Sequence, residues 1–369
     1  MQASALENLR IAIVGGGYGG AAAAIALRRA GAGNVHVYEQ APETGQVGAG
    51  IGLRPATVEL FREWGIFDAI AAVSSPSDYL EILSGDGGHV LAREEWPGIG
   101  DYAQPNQARI IHRGDFIDAL LGALPREMVH LGCKLTGIAD RGPAATLSFA
   151  GGATVSADLV IGADGIRSVV RRELFTDAQP VFAREHAYRA VITAANAHGL
   201  VTDDNPRFYM GRNGTIAYNL PLRHRGQLSY DITAPSDDDS WAPQVSNDYL
   251  VSLLDGFDPR IVKVARDLDL AQVTSRSIYD IDPVASWHTG SVALLGDAAH
   301  AMLHHQGQGA NSAIADAGAL ALALASADSV PSALALYQAT RKPVTDHLQR
   351  ISRRGWQADA VESAFPGQR

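Results

Sequence analysis

The chain has 369 residues, 46% of them apolar and 19% charged, with 38 glycines, one cysteine and a formal net charge of −10. That apolar share excludes a disordered chain, and the length allows about two domains or one large α/β unit, with a core able to enclose a ligand. Cys133 alone permits no intrachain disulfide and no cysteine-based metal site, and no metal is expected; the acidic balance argues against nucleic-acid partners.

The longest nearly apolar run, Ala317 to Ala327, falls well short of the ~20 residues a membrane helix needs. With no basic–apolar–small leader at the N-terminus, the expectation is a cytoplasmic protein away from membranes. All but three of the 30 basic residues are arginines (the lysines are Lys134, Lys263 and Lys342), so arginine is the expected side-chain partner of any bound anion.

Leu9 to Val14 is a short apolar run ending in glycines, as a buried parallel strand would be. Ala21 to Ala30 follows as a helix and Val35 to Tyr38 as a second strand, giving a strand–helix–strand unit. Helices are expected over Thr57 to Trp64 and over Asp115 to Leu124, the latter capped by Asp115. Leu159 to Ile161 and Val292 to Leu295 read as further buried strands. Residues 186–194, 207–210, 215–222 and 227–233 alternate apolar and polar types between turns such as Asn213-Gly214, which predicts an antiparallel sheet. The run Pro235 to Ser246, with Asp237, Asp238 and Asp239, reads as a solvated loop. Gly309 to Leu324 carries small residues almost all round, as in a closely packed helix, and Ser332 to Ser352 is a long helix expected to bend at Pro343.

Gly15-Gly16-Gly17-Tyr18-Gly19-Gly20 follows the first strand and opens the first helix. Glycine at 15, 17 and 20 allows a tight turn and a close approach of backbone N–H groups to a pyrophosphate, which the helix dipole favours. Glu39 ends the second strand, where a carboxylate can bind ribose hydroxyls. The motif predicts a dinucleotide site without separating NAD from FAD. Two more strands end in an acid: the Asp158–Gly165 stretch with Asp164, running into Ile166-Arg167-Ser168, and Val292–His300 with Asp297. In an open α/β sheet ligands lie at the carboxyl ends of strands. Asp297 can therefore reach a polyol hydroxyl, and the helix from Gly307 can point its N-terminus at a phosphate or a flavin ring.

GGGYGG, VGAGI at 47–51, HRGD at 112–115, GADGIRS at 162–168 and GDAAHAM at 296–302 occur in that order. In this combination the chain resembles, over about residues 9–350, the single-component FAD-dependent aromatic-ring hydroxylases (class A flavoprotein monooxygenases), the family of salicylate, 3-hydroxybenzoate and 6-hydroxynicotinate hydroxylases. The resemblance implies a Rossmann-like α/β FAD-binding domain with an inserted, mainly antiparallel β-sheet substrate domain and a C-terminal helix. By position, residues 1–70, 100–175 and 281–369 would form the FAD-binding domain, and 71–99 and 176–280 the β-rich substrate domain.

The resemblance also implies site residues. Gly15, Gly17, Gly20 and Glu39 would hold the ADP half of FAD, and Arg113 the nucleotide's polar chain. Asp164 and Gly165 belong to a segment implicated in FAD and NAD(P)H contacts, and Asp297 would bind the ribitol–pyrophosphate region. Gly307, Gln308 and Gly309 would set amides beside the isoalloxazine. Tyr18, Gly19, Gln40, Gly50, Ile51, Gly296, Ala310 and Asn311 complete the implied cofactor set. Three positions depart from the family pattern: His304 stands where proline is usual beside the flavin, Ala315 where an acid usually precedes Asp316, and Gly52 where the 6-hydroxynicotinate type has histidine.

Tyr218, on the sheet and aligned with a tyrosine of relatives, is the candidate substrate contact, with a core aromatic as the plain alternative. His304 and His305 are the paired histidines near the implied flavin and candidates for proton transfer, His304 also for substrate contact. Arg54 and Arg189 are candidates to pair with a substrate carboxylate or with NAD(P)H, against the plain reading of surface ion pairs.

The expected protein is thus an FAD-dependent monooxygenase. It would use NADH or NADPH and O₂ to hydroxylate a small phenolic or hydroxypyridine-type ring through a flavin C4a-hydroperoxide, as a monomer or homodimer. A flavin oxidoreductase that epoxidises or oxidises without ring hydroxylation, and a non-catalytic FAD-binding protein, are the alternatives.

Overall fold

Residues Arg10–Val14 carry four buried side chains in five, and Leu159–Gly162 is buried throughout. Strands so uniformly apolar are stable only with both faces covered. They lie side by side at the centre of a five-stranded sheet in the computed structural model, which describes residues 3–44, 48–95 and 108–355. Across the sheet the strands run Val292–Leu294, Leu159–Gly162, Arg10–Val14, Asn34–Tyr38 and Val129–His130, all parallel. Ile13 sits opposite Ile161 on one side and Val37 on the other, so the three strand ends that carry glycine or acid finish level.

These strands belong to one compact unit, residues 1–45, 117–181 and 279–369. Helix Tyr18–Arg29 is packed against helix Gly309–Ser326, which explains the small residues of the latter. A Cβ on Gly19 would fall 2.6 Å from Leu295 Cδ2 and 3.3 Å from Ala313 Cβ. The first helix starts three residues before the expected Ala21, because the glycine turn itself supplies its first turn. Leu135–Asp140, Ala145–Phe149 and Thr154–Ala157 add a small antiparallel sheet. The C-terminal helix runs Val330–Ser352 with Pro343 in its interior. No helix among the described residues is long and apolar enough to cross a membrane.

The second unit comprises residues 46–116 and 182–278. Its seven-stranded sheet has the order Thr274–Asp280, Val181–Thr193, Gln227–Pro235, Ile216–Leu222, Arg207–Met210, Tyr79–Ser84, Val90–Glu95. The central pairings are antiparallel, as the alternation predicts, but Arg207–Met210 and Tyr79–Ser84 run parallel, joining segments distant in sequence. One face carries Tyr188, Tyr209, Tyr230 and Ile232 into a core with Leu250, Leu254, Ile261 and Val264 of helices Asn247–Ser252 and Pro259–Asp267 and the turn between them. A three-stranded antiparallel sheet, Gly50–Leu53, Ala108–His112 and Ser74–Ser77, packs on the same large sheet, and a Cβ on Gly50 would lie 2.8 Å from Leu220 Cβ.

One expected cap is not formed. The helix that was to start at Asp115 spans Arg113–Gly122, placing Asp115 inside its first turn. The Asp115 carboxylate instead accepts from Arg225 at 2.8 Å and pairs with His224 at 3.2 Å. Burial pushes this carboxyl up, but those two partners outweigh it and hold it below the usual range.

Candidate active site

In the first unit the strand ends build a cradle from main chain. Gly15 has φ +103°, and a Cβ there would meet Ala163 O at 2.3 Å. A Cβ on Gly20 would meet Gly15 O at 1.9 Å, so only glycine lets the turn close on itself. Around Gly17, by contrast, nothing lies within 4 Å of a Cβ, which leaves the helix N-terminus open to a ligand. Tyr18 and Gly19 form the first turn of that twelve-residue helix, whose amides and dipole suit a phosphate. Glu39 faces the same turn: its carboxylate accepts from Gly16 N at 2.6 Å and from Ala41 N at 2.8 Å. Gln40 beside it is exposed.

At the second strand end the acid bonds within its own segment. Asp164 accepts from Ser168 Oγ at 2.5 Å and from the amides of Val169 and Val170 at 2.7 and 3.1 Å. Its carboxylate starts the helix Val169–Leu174, and burial raises its pKa despite those donors. Gly165 follows with φ +77° and open space around it.

At the third strand end Gly296 has φ +62°, Asp297 is exposed at the start of a short helix, and a Cβ on Gly309 would lie 3.9 Å from Asp297 Oδ1. This turn is braced by groups that the sequence did not flag. Asp316, fully buried, accepts from Gly296 N at 3.2 Å and from Arg341 Nε at 2.7 Å and pairs with His300 Nε2 at 2.5 Å. Burial would raise its pKa, but His300 and Arg341 keep the carboxyl below the usual range. Buried Arg171 bonds the Ala298 and Ile166 carbonyls at 2.9 and 2.5 Å, tying the second strand end to the third.

Beyond that turn, Gly307 has φ +59° and its carbonyl accepts from Asn311 Nδ2 at 2.9 Å. Gln308 precedes the Gly309–Ser326 helix, whose first turn holds Ala310 and Asn311. The paired histidines have unequal surroundings. His305 is buried with Nδ1 3.0 Å from Ser352 O, while His304 is half-buried, the two ring centroids standing 4.8 Å apart.

In the second unit the site is made by register. Arg189, Asp231, Tyr218, Phe208 and Ile82 are direct partners across five adjacent strands, so their side chains stand on one sheet face. Tyr218 stacks on Phe208 with centroids 5.0 Å apart. Burial, and then Asp231, push its hydroxyl up to about 12, with Arg189 opposing. Asp231 is 1% exposed, and burial lifts it to about 6 against the pull of Arg189, Ser229 and Tyr218. Ser229 Oγ donates to Asp231 Oδ2 at 2.7 Å and accepts from Gly50 N at 2.9 Å.

Both arginines expected at the substrate are matched by acids. Arg189 Nε lies 3.2 Å from Asp231 Oδ1, and Arg54 Nη1 donates to Glu94 Oε1 at 2.9 Å. Glu94 is buried and lifted to about 6 by that burial, with Arg54 opposing. Gly50, Ile51 and Arg113 also fall in this unit; Ile51 pairs with Ile111, and Arg113 N donates to Ala49 O at 3.0 Å. Val47 of the VGAGI run lies outside the described residues. Sequence reasoning missed Asp231, Ser229, Phe208 and Glu94; the one local signal was an acid at a buried position of an otherwise apolar or small-residue strand, Leu228-Ser229-Tyr230-Asp231-Ile232.

Residues 8–352 match the FAD binding domain family. A 6-hydroxynicotinate 3-monooxygenase of Pseudomonas fluorescens is 36% identical over 357 residues, covering 94% of this chain and 91% of its own length. A salicylate hydroxylase of Pseudomonas putida is 31% identical, covering 94% and 85%. Klebsiella pneumoniae HpxO, solved with FAD and uric acid, superposes with a TM-score of 0.82 over 97% of this chain and 92% of that one; at 23% identity this likeness is one of fold. The chain belongs to this FAD-binding family and is an FAD-dependent aromatic monooxygenase. Its reductant is NADH or NADPH, and the non-catalytic alternative falls away.

Proposed function

We propose that this enzyme hydroxylates a small phenolic or hydroxypyridine ring held on the Arg189–Asp231–Tyr218–Phe208 face of the second unit's sheet. The observation that carries the reading is the stacked Phe208–Tyr218 pair on one sheet face with Asp231 beside it. Aromatic side chains next to a polar group suit an electron-rich ring bearing a hydrogen-bonding substituent.

The cofactor roles we assign are supported by the cradle. The amides at Gly17, Tyr18 and Gly19 hold pyrophosphate, Glu39 the adenosine ribose, and Asp297 the ribitol chain. The turn Gly307 to Asn311, with Gly165, Gly296, Gly50, Ile51, Gln40 and Arg113, completes the set. Because the Asp164 carboxylate is engaged in starting a helix, its cofactor contact is through main chain. Bound FAD supplies electron acceptance from NAD(P)H and oxygen transfer to the ring. The protein's part is to bind, to orient and to manage protons. Of the two histidines, His304 carries the proton-handling role, since His305 is committed to Ser352.

Divided by role, residues 1–70, 100–175 and 281–369 serve the cofactor and 71–99 and 176–280 the substrate. The protein works in the cytoplasm as a monomer or homodimer. The test is NAD(P)H and O₂ consumption by flavin-loaded enzyme over a panel of phenols and hydroxypyridines, with products identified by mass. Stimulated turnover with product heavier by one oxygen is expected. Stimulation without an added oxygen would favour oxidation without hydroxylation.

A further inference from the structure

The substrate face of the second unit holds two buried carboxylates, and neither is fully satisfied. Asp231 Oδ2 accepts from Ser229, whereas Oδ1 has only loosely placed neighbours, Arg189 Nε at 3.2 Å and the Tyr218 hydroxyl, and no well-formed hydrogen bond. Glu94 Oε1 accepts from Arg54, and Oε2 has no partner. Leu80 pairs with Glu94 and Ile82 with Ala92, so Glu94 stands on the same sheet face as Ile82, Phe208, Tyr218 and Asp231. Regular pairing from Glu185 to Thr193 sets Glu185 on that face as well, four residues before Arg189.

The charge on this face is therefore matched or negative. Arg189 faces Asp231 and Arg54 faces Glu94, with Glu185 beyond them. A ring carboxylate brought here would add a negative charge next to buried acids, and like charges at short range in a poorly solvated site repel strongly. A neutral ring carrying an O–H or N–H meets the opposite situation: a buried carboxylate oxygen short of a donor. Leaving such an oxygen unpaired costs free energy that a ligand's donor recovers.

We infer that Asp231 is a specificity-determining residue that accepts a hydrogen bond from the substrate, and that the preferred substrate is an uncharged hydroxy- or amino-substituted aromatic without a carboxylate. This rests on the hydroxylase reading above and narrows its substrate class. Arg189 is then a partner that holds Asp231 ionised in the protein interior, and it does not act as a carboxylate receptor.

The test compares matched rings on the flavin-loaded enzyme: 2-hydroxypyridine against 6-hydroxynicotinate, phenol against salicylate, and resorcinol against 2,4-dihydroxybenzoate. Binding is followed by the change in flavin absorbance, and turnover by NAD(P)H loss with product mass. The neutral member of each pair should bind at least tenfold more tightly. Asp231→Asn should shift that ratio at least tenfold toward the carboxylated member, because Arg189 then no longer faces a carboxylate. Glu94→Gln, which removes the acid opposite Arg54, should shift it in the same direction and serves if the first variant does not hold flavin. Preference of the wild type for carboxylated rings, or a ratio unmoved by both substitutions, overturns the inference while leaving the hydroxylase reading intact. Silence of the wild type toward every ring overturns both.

Discussion

The two units present their chemistry in different ways. In the first, main chain does the work: glycines at strand ends open amides toward a ligand, and side chains such as Asp316 and Arg171 brace the turns from behind. In the second, side chains from separate strands meet across a sheet, as Arg189, Asp231, Tyr218 and Phe208 do. A main-chain cradle tolerates little change in backbone shape and suits a cofactor that never varies. A row of side chains can be altered one position at a time without disturbing the backbone, as a substrate site must be if relatives are to act on different rings.

The contrast predicts where substitutions act. The largest effect belongs to Gly20→Ala, which drives a Cβ into Gly15 O. Purified protein should carry no flavin, seen as loss of visible absorbance; retained flavin would mean that the cradle is not main-chain limited. Next is Asp316→Asn. Removing one charge from the buried cluster with His300 and Arg341 should destabilise the fold by about 3–5 kcal/mol in chemical unfolding. It should also weaken flavin retention, since the Gly296 turn loses its brace.

On the Arg189–Asp231–Tyr218–Phe208 face of the second unit effects should be confined to the substrate. Tyr218→Phe keeps the stack on Phe208 and removes only the hydroxyl beside Asp231. Ring affinity should fall about tenfold, roughly 1.4 kcal/mol, with flavin content unchanged. A variant that loses flavin would break the division between the main-chain cradle and the row of side chains.

The last effect concerns pH. Burial raises Asp231 and Glu94 to about 6 in the folded chain, above their unfolded values. Their proton uptake stabilises the fold fully below the unfolded carboxylate range, and that contribution is lost as pH rises through about 6. Asp231→Asn should remove its share of this downward slope between pH 4 and 6, on the order of 2 kcal/mol, read from unfolding midpoints. An unchanged slope would show that Asp231 is ionised across the range.

How much of this was legible in the sequence follows the same contrast. The glycine turn, Glu39 and the strand-end acids are contiguous motifs, and the parallel strands that position them are uniform apolar runs. Register is not contiguous. Period-two alternation shows that Tyr218 and Asp231 each face one side of a strand, but not that they are opposite one another. The parallel pairing of Arg207–Met210 with Tyr79–Ser84, and the matching of Arg54 by Glu94, depend on segments far apart in the chain. Asp115 misled as a helix cap because an acid near a helix start has a strong local prior, and two basic residues more than a hundred positions away outbid it.

The hydrogen bonds from Gly50 through Ser229 to Asp231 all run one way: the Gly50 amide donates to the Ser229 hydroxyl, which donates to the carboxylate. An amide does not surrender its proton at physiological pH, so this line conducts nothing. Proton exchange at Asp231 is therefore confined to the face it shares with Arg189 and Tyr218, and the bonds behind the carboxylate serve only to hold it in place.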